Sequence, residues 1–435
     1  MRFVSTRDRS HAVDLATAIA QGLAPDGGLY LPERLPAISL DAWPTDRSLP
    51  KVGATLLEAF FAGDRLQTQL REILVEALDF PAPLVDVVGG AGPLSVLELF
   101  HGPTAAFKDF GARFLAAALE RMTAADDRRL TILVATSGDT GGAVAAAFYD
   151  RPWVDVVVLY PRGLVSPRQA QQLACWGRNV RTLAVDGTFD DCQRLVKQAF
   201  ADATLTGALR LSSANSINVG RLLPQMVYYA SASLDLWQRH GRTANFIVPS
   251  GNLGNVLACI WAREIGLPIG DIVLSTNANR VVPDFLRTSV WQARASVPTL
   301  ASAMDVGNPS NMERLQAWFT GAGAIADQVS AEAVDDDEIR ATIRRDDREL
   351  GQTWCPHTAT AAALYRRLPP ERRAERWVLV STAHPAKFNE IVEPLIGRSI
   401  PVPQALAGLL SKPRIETPMK PDAEEFKSLL LGRGT

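Results

Sequence analysis

One pattern recurs along the chain and constrains its fold more than any other feature. Each instance has an apolar run rich in β-branched residues, then a turn of Gly, Ser, Asn or Thr, then an alanine-rich segment. The clearest instances are LTILVATSGDTGGAVAAAFYD, DVVVLYPRGLVSPRQAQQLACWG, NFIVPSGNLGNVLACIWAREIG and RWVLVSTAHPAKFNEIVEPLIG. Such alternation predicts parallel strands joined by crossover helices. Because ligands collect at the carboxyl ends of parallel strands, the turns are where a functional site is expected.

The length of 435 residues exceeds one ordinary domain and predicts two α/β domains with a small leading unit. Turn-rich GLAPDGGLYLPERLP, two helical stretches and the proline pair of DFPAPLV mark that unit. We expect an N-terminal unit at 1–85, a smaller α/β domain at 86–235 and a larger one at 236–435. The tail after GRSIPVPQALAGLLSKP is expected to be a loosely packed extension. Ser166 and Pro167 stand where the N-cap and first residue of a helix belong.

Composition narrows the class of protein. Hydrophobic residues make up 47% and charged residues 21% of the chain, and no segment approaches the roughly 18 apolar residues of a membrane helix. The N-terminus carries charges where a secretory segment would be apolar, so a cytoplasmic protein with no membrane association is expected. A formal charge of −2 argues against a nucleic-acid surface.

The cysteines and histidines give no sign of a metal site. Cys175, Cys192, Cys259 and Cys355 are widely spaced and form no CxxC motif. We expect them to be reduced thiols in the core. The five histidines are equally scattered, so no metal site is predicted.

The turn PSGNLGN, residues 249–255, follows the strand-like NFIV and opens a helix. Gly251 and Gly254 would let the backbone approach a ligand closely, and free N–H groups at a helix N-terminus favour phosphate. Neither a P-loop nor a GxGxxG fingerprint is present. Taken alone, a structural turn explains this segment equally well.

Two further turns carry polar side chains suited to anions. TSGDTGG, residues 136–142, offers the hydroxyls of Thr136, Ser137 and Thr140 to a carboxylate or phosphate, while Asp139 must point elsewhere or take a separate role. Simple N-capping is the alternative.

The segment SSANSINVGRLL, residues 212–223, places Asn215, Ser216 and Asn218 ahead of Arg221. An arginine fork beside amide and hydroxyl groups matches a phosphoryl group. A surface helix cap with a solvated arginine explains the same residues.

Lys108 stands in HGPTAAFKDF, residues 101–110. A lysine after AAF is ordinarily a side chain that extends along a helix face to water. Beside a phosphate turn without a nucleotide motif and a turn suited to carboxylate, however, it indicates a pyridoxal-phosphate enzyme. Burial would depress the amine pKa from about 10.4 and make the amine nucleophilic. Phe107 could pack near the cofactor ring.

Eight motifs in this order give the chain a family resemblance: GLAPDGGLYLPE, HGPTAAFKDFGARF, ATSGDTGGAV, NSINVGRLLPQMVYY, PSGNLGN, MDVGNPSNMERL, PHTA and TAHPAKF. The sequence resembles the threonine synthase family of fold-type II (tryptophan synthase β-like) pyridoxal-phosphate enzymes, in its long bacterial and fungal form. The resemblance implies an α/β fold of two three-layer parallel-sheet domains plus a small N-terminal unit. The smaller domain would carry the Schiff-base lysine and the substrate loops, and the larger one the cofactor-phosphate loop.

The resemblance also assigns roles by position. It implies that Lys108 forms the Schiff base with the cofactor, that Thr382 faces the pyridine nitrogen, and that Ser137, Asp139 and Thr140 contact the substrate carboxylate and the cofactor edge. The residues implied for the cofactor phosphate are Gly251, Asn252, Leu253, Gly254 and Asn255. Those implied for the substrate phosphate are Asn215, Ser216 and Arg221, with Thr104 nearby.

The implied reaction converts O-phospho-L-homoserine and water to L-threonine and phosphate. The substrate is a small molecule, and the chain would act as a monomer or homodimer. Thr360 and Met312 stand where the family often has an aliphatic and an aromatic residue, which bears on substrate packing. Two rivals remain: a serine or threonine dehydratase, which needs no second anion site, and a catalytically silent homologue, which would tolerate loss of Lys108 or of the glycine turn.

Overall fold

The structure is a computed structural model, and it describes residues 1–123 and 129–432. The N-terminal part forms a small antiparallel sheet of order β2-β1-β3 with helices beside it. Its elements are β1 (Phe3–Ser5), β2 (Ala12–Val13), α1 (Leu15–Gln21), β3 (Tyr30–Pro32), α2 (Leu49–Phe61) and α3 (Leu70–Ala77). Each of the last two helices buries one apolar face, because leucine and phenylalanine recur there at helical spacing.

The middle of the chain repeats the strand–turn–helix unit that the sequence predicts. Its elements are β4 (Leu84–Asp86), β5 (Leu94–Glu98), α4 (Lys108–Thr123), β6 (Leu130–Ala135), α5 (Asp139–Phe148), β7 (Val154–Pro161), α6 (Pro167–Ala174), β8 (Val180–Val185), α7 (Phe189–Ala201), α8 (Ala203–Ala208), β9 (Arg210–Ser213), α9 (Val219–Leu222) and α10 (Gln225–His240). Helix α6 begins as predicted, with Ser166 in a reciprocal capping box with Gln169 and with Pro167 as its first residue.

The last part adds the remaining strands. Its elements are β10 (Ala244–Pro249), α11 (Gly254–Glu264), β11 (Ile269–Thr276), α12 (Val281–Thr288), α13 (Met312–Trp318), α14 (Gly321–Ala326), β12 (Ser330–Ala333), α15 (Asp336–Leu350), α16 (Pro356–Arg367), α17 (Pro370–Arg373), β13 (Trp377–Ser381), α18 (Asn389–Ile396), α19 (Gln404–Leu410), β14 (Thr417–Met419) and α20 (Ala423–Leu430). Every residue of β10 and β13 is buried, as expected of strands covered on both faces.

Two parallel sheets organise these elements, which confirms the predicted α/β fold. One has six strands in the order β12-β11-β10-β13-β5-β4, and the other has five in the order β14-β8-β7-β6-β9. All neighbours pair in parallel except β4 and β5. The carboxyl ends of β6, β9, β10 and β13 lead into the turns that the sequence singled out.

The strand pairing joins stretches of chain that lie far apart in the sequence. Strand β5 lies within the expected smaller domain, yet it pairs with β13 of the six-stranded sheet. Strand β14 lies at the other end of the chain and pairs with β8 of the five-stranded sheet. Each sheet is therefore built from separate stretches. A strand pattern in a sequence shows that backbone hydrogen bonds must be satisfied, but it does not show which strand satisfies them.

The C-terminal tail packs against the body of the protein, contrary to expectation. Helix α20 buries Phe426 and Leu430 in a hydrophobic cluster that includes Leu195 of α7. The apolar spacing within FKSLL supplies the reason, since one face of the short helix can leave water by covering α7.

The four cysteines are buried free thiols, as predicted. Across residues 1–123 and 129–432, no helix has the length and apolar character that crossing a membrane requires.

Candidate active site

A cleft between the two parallel sheets brings together the turns predicted to carry function. The expected residues that line it are Phe107, Lys108, Ser137, Asp139, Thr140, Asn215, Ser216, Arg221, Gly251, Asn252, Gly254, Asn255 and Thr382. They come from four strand ends and from the start of α4, so a single ligand in the cleft would reach all of these segments.

Lys108 is the first residue of α4, and its Nζ lies 4.3 Å from the centre of the Phe107 ring. The side chain keeps some surface open because it lines the cleft, while the surrounding protein withdraws it from bulk water. Burial, followed by the charge of Arg221, lowers the pKa of Lys108 to about 8, and Asp139 opposes the shift. The interpretation of Lys108 as a side chain extended into water is therefore wrong.

The turn PSGNLGN wraps closely around its neighbours before α11 begins at Gly254. A Cβ added to Gly251 would lie 2.7 Å from the Cα of Met304, so only glycine fits there. Leu253 has φ +62° and a fully buried side chain, and its backbone makes the reversal into the helix. These features present the N-terminus of α11 to the cleft, where backbone N–H groups attract anions.

The side chains of this turn make their own contacts. The Asn252 amide donates to Ser216 Oγ at 2.6 Å, and its oxygen accepts from the Ser310 backbone at 2.5 Å. Asn255 Oδ1 accepts from the hydroxyls of Tyr228 and Tyr229 at 2.6 and 2.8 Å. Asn255 therefore uses its side-chain oxygen inside the protein, and Asn252 joins the phosphate turn to the Asn215–Arg221 segment.

The TSGDTGG turn is shaped by Thr136, whose Oγ1 accepts from the backbone amides of Gly138 and Gly141 at 3.0 and 2.9 Å. Thr136 thus has the capping role given as the alternative, whereas Ser137 and Thr140 line the cleft. Asp139 is buried at the start of α5, and its carboxylate forms an ion pair of 2.7 Å with the buried Lys387. The separate role that the sequence left open for Asp139 includes this ion pair.

Arg221 is only 2% exposed, so the interpretation as a solvated surface arginine is wrong. One of its Nη atoms donates to the Ala214 carbonyl, while its Nε has no hydrogen-bond partner among the described residues. The buried Oδ1 of Asn215 also lacks one in the described part of the chain. Burial lowers the pKa of Arg221 to about 10, which still leaves it charged at neutral pH. An unpaired buried cation of this kind calls for an anionic ligand.

Thr382 follows β13 and holds the loop that carries Lys108. The Thr382 carbonyl accepts a hydrogen bond of 2.8 Å from the Phe107 backbone amide, and Thr382 lines the cleft. This backbone hydrogen bond between the loop and the strand end therefore fixes Thr382 and Lys108 close to each other.

Thr104, which was expected near the substrate phosphate, is not among the residues that line the cleft. The residue is fully buried, and its hydroxyl and backbone amide donate to the Asp109 carboxylate at 2.7 and 2.9 Å. Thr104 stabilises the loop before Lys108.

The sequence assigned no role to His357 or Lys387, although both stand in motifs that it singled out. His357 lines the cleft at the start of α16, is 3% exposed and accepts from the Ala303 amide at 3.0 Å. Burial lowers its pKa to about 4. The available signal was that His357 lies in PHTA and Lys387 in TAHPAKF. Neither the spacing nor the residue types showed what these two side chains contact.

The residues present fit pyridoxal phosphate. The cleft holds an amine whose pKa is lowered toward neutrality, a helix N-terminus on a turn without acidic side chains, and the hydroxyl of Thr382. Gly251 packs so closely against the Met304 backbone that the turn leaves no space for a side chain at this position. This donor set suits a phosphate-bearing aldehyde better than a metal ion.

Comparison with known proteins finds three matching family profiles and a close full-length relative. Residues 80–383 match the family profile described as pyridoxal-phosphate dependent enzyme, residues 2–78 match threonine synthase N terminus, and residues 358–430 match threonine synthase, C-terminal. Threonine synthase of Escherichia coli is 42% identical over 99% of both chains.

Two solved structures share the whole architecture. The crystal structure of the Escherichia coli threonine synthase covers 100% of both chains with a TM-score of 0.90 and 41% identity. The structure described as PLP-bound threonine synthase from Brucella melitensis covers 99% of this chain and 98% of its own, with a TM-score of 0.89 and 34% identity. The chain belongs to the threonine synthase family of pyridoxal-phosphate-dependent enzymes.

Proposed function

We propose that this cleft is the active site, in which Lys108 binds the cofactor covalently and moves protons at the substrate carbon atoms. As a member of its family, the chain converts O-phospho-L-homoserine and water to L-threonine and phosphate with pyridoxal phosphate as cofactor. When bound, the cofactor supplies an aldehyde for the substrate amino group and a ring that spreads the electron pair left when a C–H proton is lost.

Lys108 serves as base and acid in turn. With a pKa of about 8, about one-tenth of its amine is neutral at pH 7, far more than of an ordinary lysine. Lys108 Nζ removes the proton from the substrate Cα and assists proton loss at Cβ. Phosphate leaves from Cγ, and Cγ then accepts a proton to become the methyl carbon. Water adds at Cβ with loss of a proton, and Lys108 returns a proton to Cα.

The N-terminus of α11, with Gly251 to Asn255, holds the cofactor phosphate. Thr382 would face the pyridine nitrogen, where a hydroxyl donates a hydrogen bond but does not stabilise a positive ring as a carboxylate would. Phe107 lies beside the Lys108 amine and would pack near the cofactor ring. Asp139 would lie at the cofactor edge.

Ser137 and Thr140 contact the substrate carboxylate, and Asn215, Ser216 and Arg221 bind the substrate phosphate. The hydrogen bond from Asn252 to Ser216 makes the two phosphate sites neighbours. Because both ligands are anionic, the buried charge of Arg221 offsets their repulsion. The same three residues hold the released phosphate while water adds.

The observation that carries the proposal is that the buried Arg221, with an unpartnered Nε, lines the same cleft as Lys108. A dehydratase of unphosphorylated amino acids has no use for that second cationic site. The test measures phosphate release and threonine formation from O-phospho-L-homoserine by the wild type and by Lys108→Ala. We expect equal amounts of both products from the wild type and none from the variant. Faster turnover of L-serine or L-threonine than of the phosphorylated substrate would contradict the proposal.

We also propose that the chain works in the cytoplasm as a monomer or homodimer, without nucleic acid or membrane. A formal charge of −2 supports the absence of a nucleic-acid partner. Light scattering during size-exclusion chromatography measures the oligomeric state, and a trimer or larger assembly would contradict this proposal.

A further inference from the structure

Lys387 is a lysine without exposed surface in the turn after β13. Its Nζ lies 2.7 Å from Asp139 Oδ1 and donates to the Thr104 carbonyl at 2.9 Å. A buried ammonium group is costly unless it is paired and hydrogen-bonded, and here both conditions are met.

These contacts join three segments that meet at the cleft. Thr104 belongs to the loop that leads into Lys108, Asp139 belongs to the TSGDTGG turn of the five-stranded sheet, and Lys387 follows β13 of the six-stranded sheet. Two glutamines of α6 reinforce the junction. Gln169 donates to Asp139 at 3.0 Å and Gln172 donates to the Thr104 carbonyl at 3.0 Å.

We propose that Lys387 is a positioning residue for Lys108: its ammonium group fixes Asp139 and the Thr104 carbonyl beside the cleft and neutralises the carboxylate. Asp139 is then prevented from acting as the counter-ion of Lys108. This inference rests on the role proposed above for Lys108 and extends it to a residue outside the cleft lining.

The electrostatics of the junction agree with this geometry. Burial acts to raise the pKa of Asp139, but the charge of Lys387 and the hydrogen bonds from Lys387 and Gln169 hold it below its usual value. Asp139 is also the one group that acts to raise the pKa of Lys108, against burial and Arg221. The charged or titratable groups that face Lys108 are Arg221 of α9, Asp139 of α5 and His357 of α16. Those that face Lys387 are Asp139, Asp109 of α4, His357 and His384.

The consequence is a lysine that stays reactive near a carboxylate. Without the Lys387 ammonium, the full negative charge of Asp139 would favour protonated Lys108, and the neutral amine would become scarcer at neutral pH. With the Lys387 ammonium group in place, the Lys387–Asp139 ion pair presents little net charge to Lys108. Asp139 still anchors the start of α5.

The test follows the acidity of Lys108 in the full chain freed of cofactor. Trace acetic anhydride labels neutral amines, and peptide mass spectrometry reports labelling of Lys108 from pH 6 to 10. The variants are Lys387→Met, Asp139→Asn and the double variant, with Lys387→Arg to retain the charge. Lys51→Met removes an exposed lysine as the matched control, since its side chain is 62% exposed.

We expect Lys387→Met to raise the labelling midpoint of Lys108 by about one pH unit or more, the effect of one uncompensated nearby charge. Asp139→Asn should lower the midpoint, and the double variant should return toward the wild type because it has no unpaired charge. Lys387→Arg should keep the wild-type midpoint. The double variant should still show a kcat at least about tenfold below the wild type, since the three segments are no longer joined.

Equal Lys108 midpoints in the wild type and in either single variant would overturn the inference. If one single variant does not fold, the other single variant and the double variant still give the decision. The labelling midpoint does not depend on turnover. A wild type that releases no phosphate from O-phospho-L-homoserine would therefore defeat the proposed function, while the midpoints would still report on Lys387.

Discussion

The Nε2 atom of His357 accepts a hydrogen bond of 3.0 Å from the backbone amide of Ala303. An accepting ring nitrogen carries no proton, so the neutral ring holds its proton on Nδ1, which is buried without a hydrogen-bond partner among the described residues. Because the pKa of His357 is lowered to about 4, the ring stays uncharged at neutral pH. His357 therefore adds a neutral donor to the cleft, where a further positive charge would repel Lys387 and protonated Lys108.

The buried neutral His357 predicts a loss of stability in acid. Its pKa is about 4 in the folded chain and near 6.5 in the unfolded chain, so between these values the unfolded state binds more protons. The free energy of unfolding should therefore fall by roughly 3 kcal/mol from this group as the pH drops from 6.5 to 4. Urea unfolding at a series of pH values measures it. His357→Gln should flatten the dependence by that amount, and an unchanged slope would contradict the assignment.

The lowered pKa of Lys108 predicts how the cofactor-free chain captures pyridoxal phosphate. The neutral amine is the nucleophile, so the capture rate should rise with pH and level off above about pH 8. Stopped-flow absorbance follows the reaction. Arg221→Met should move the midpoint upward, since the positive neighbour that lowers the pKa is gone. Lys108→Ala should bind the cofactor only non-covalently, and cofactor that borohydride fixes to this variant would count against Lys108.

Arg221 is predicted to bind the substrate phosphate from a buried position. Removing one partner of a desolvated charge pair costs roughly 2–5 kcal/mol. We therefore expect Arg221→Ala to lower kcat/KM for O-phospho-L-homoserine about thirty- to several-thousand-fold. Arg221→Lys keeps the charge without the planar guanidinium group, so its kcat/KM should lie between those of the wild type and Arg221→Ala. Arg287→Ala removes an arginine whose side chain is 69% exposed and should leave kcat/KM unchanged. Equal effects of the alanine variants at 221 and 287 would refute the phosphate role.

The two glycines of the phosphate turn predict different outcomes for the same substitution. In Gly251→Ala the new Cβ would meet Met304 Cα at 2.7 Å, so the turn must shift, and we expect a stability loss of about 1–3 kcal/mol as well as weaker cofactor binding. In Gly254→Ala the nearest atoms lie at 3.6 Å, so stability should be kept. Because Gly254 lines the cleft, its methyl group should still lower the affinity for pyridoxal phosphate.

Urea unfolding and a fluorescence titration with pyridoxal phosphate separate these effects. Unchanged cofactor affinity in Gly254→Ala would place the cofactor phosphate away from this turn.

Much of the fold and of the site could be predicted because the signals are local. A run such as NFIV followed by PSGNLGN contains both the buried strand and the helix start, and Ser166 and Pro167 mark the beginning of α6 within two residues. Lys108, Arg221 and Thr382 each lie in a short motif. The residues next to them in the sequence also surround them in the structure. Local backbone preferences and hydrogen bonds do not depend on the rest of the chain.

Other features depend on contacts between distant segments. The sequence could not show that β5 pairs with β13 or that β14 pairs with β8. The sequence also could not show that the Thr104 hydroxyl donates a hydrogen bond to Asp109. Only the tertiary structure showed that Thr136 caps the TSGDTGG turn and that the Nε of Arg221 is buried without a hydrogen-bond partner among the described residues.

By itself, the sequence determined the alternation of strands and helices, the turns suited to anions, and the position of Lys108 in a motif beside them. Only the tertiary structure decided which charges meet. Lys387 contacts Thr104 across 283 positions of the chain and forms an ion pair with Asp139, and no spacing rule links residues so far apart. The physical reason is that local structure follows from each residue's near neighbours, whereas the pKa of a buried group is determined by burial and by charges from every segment that folding brings to it.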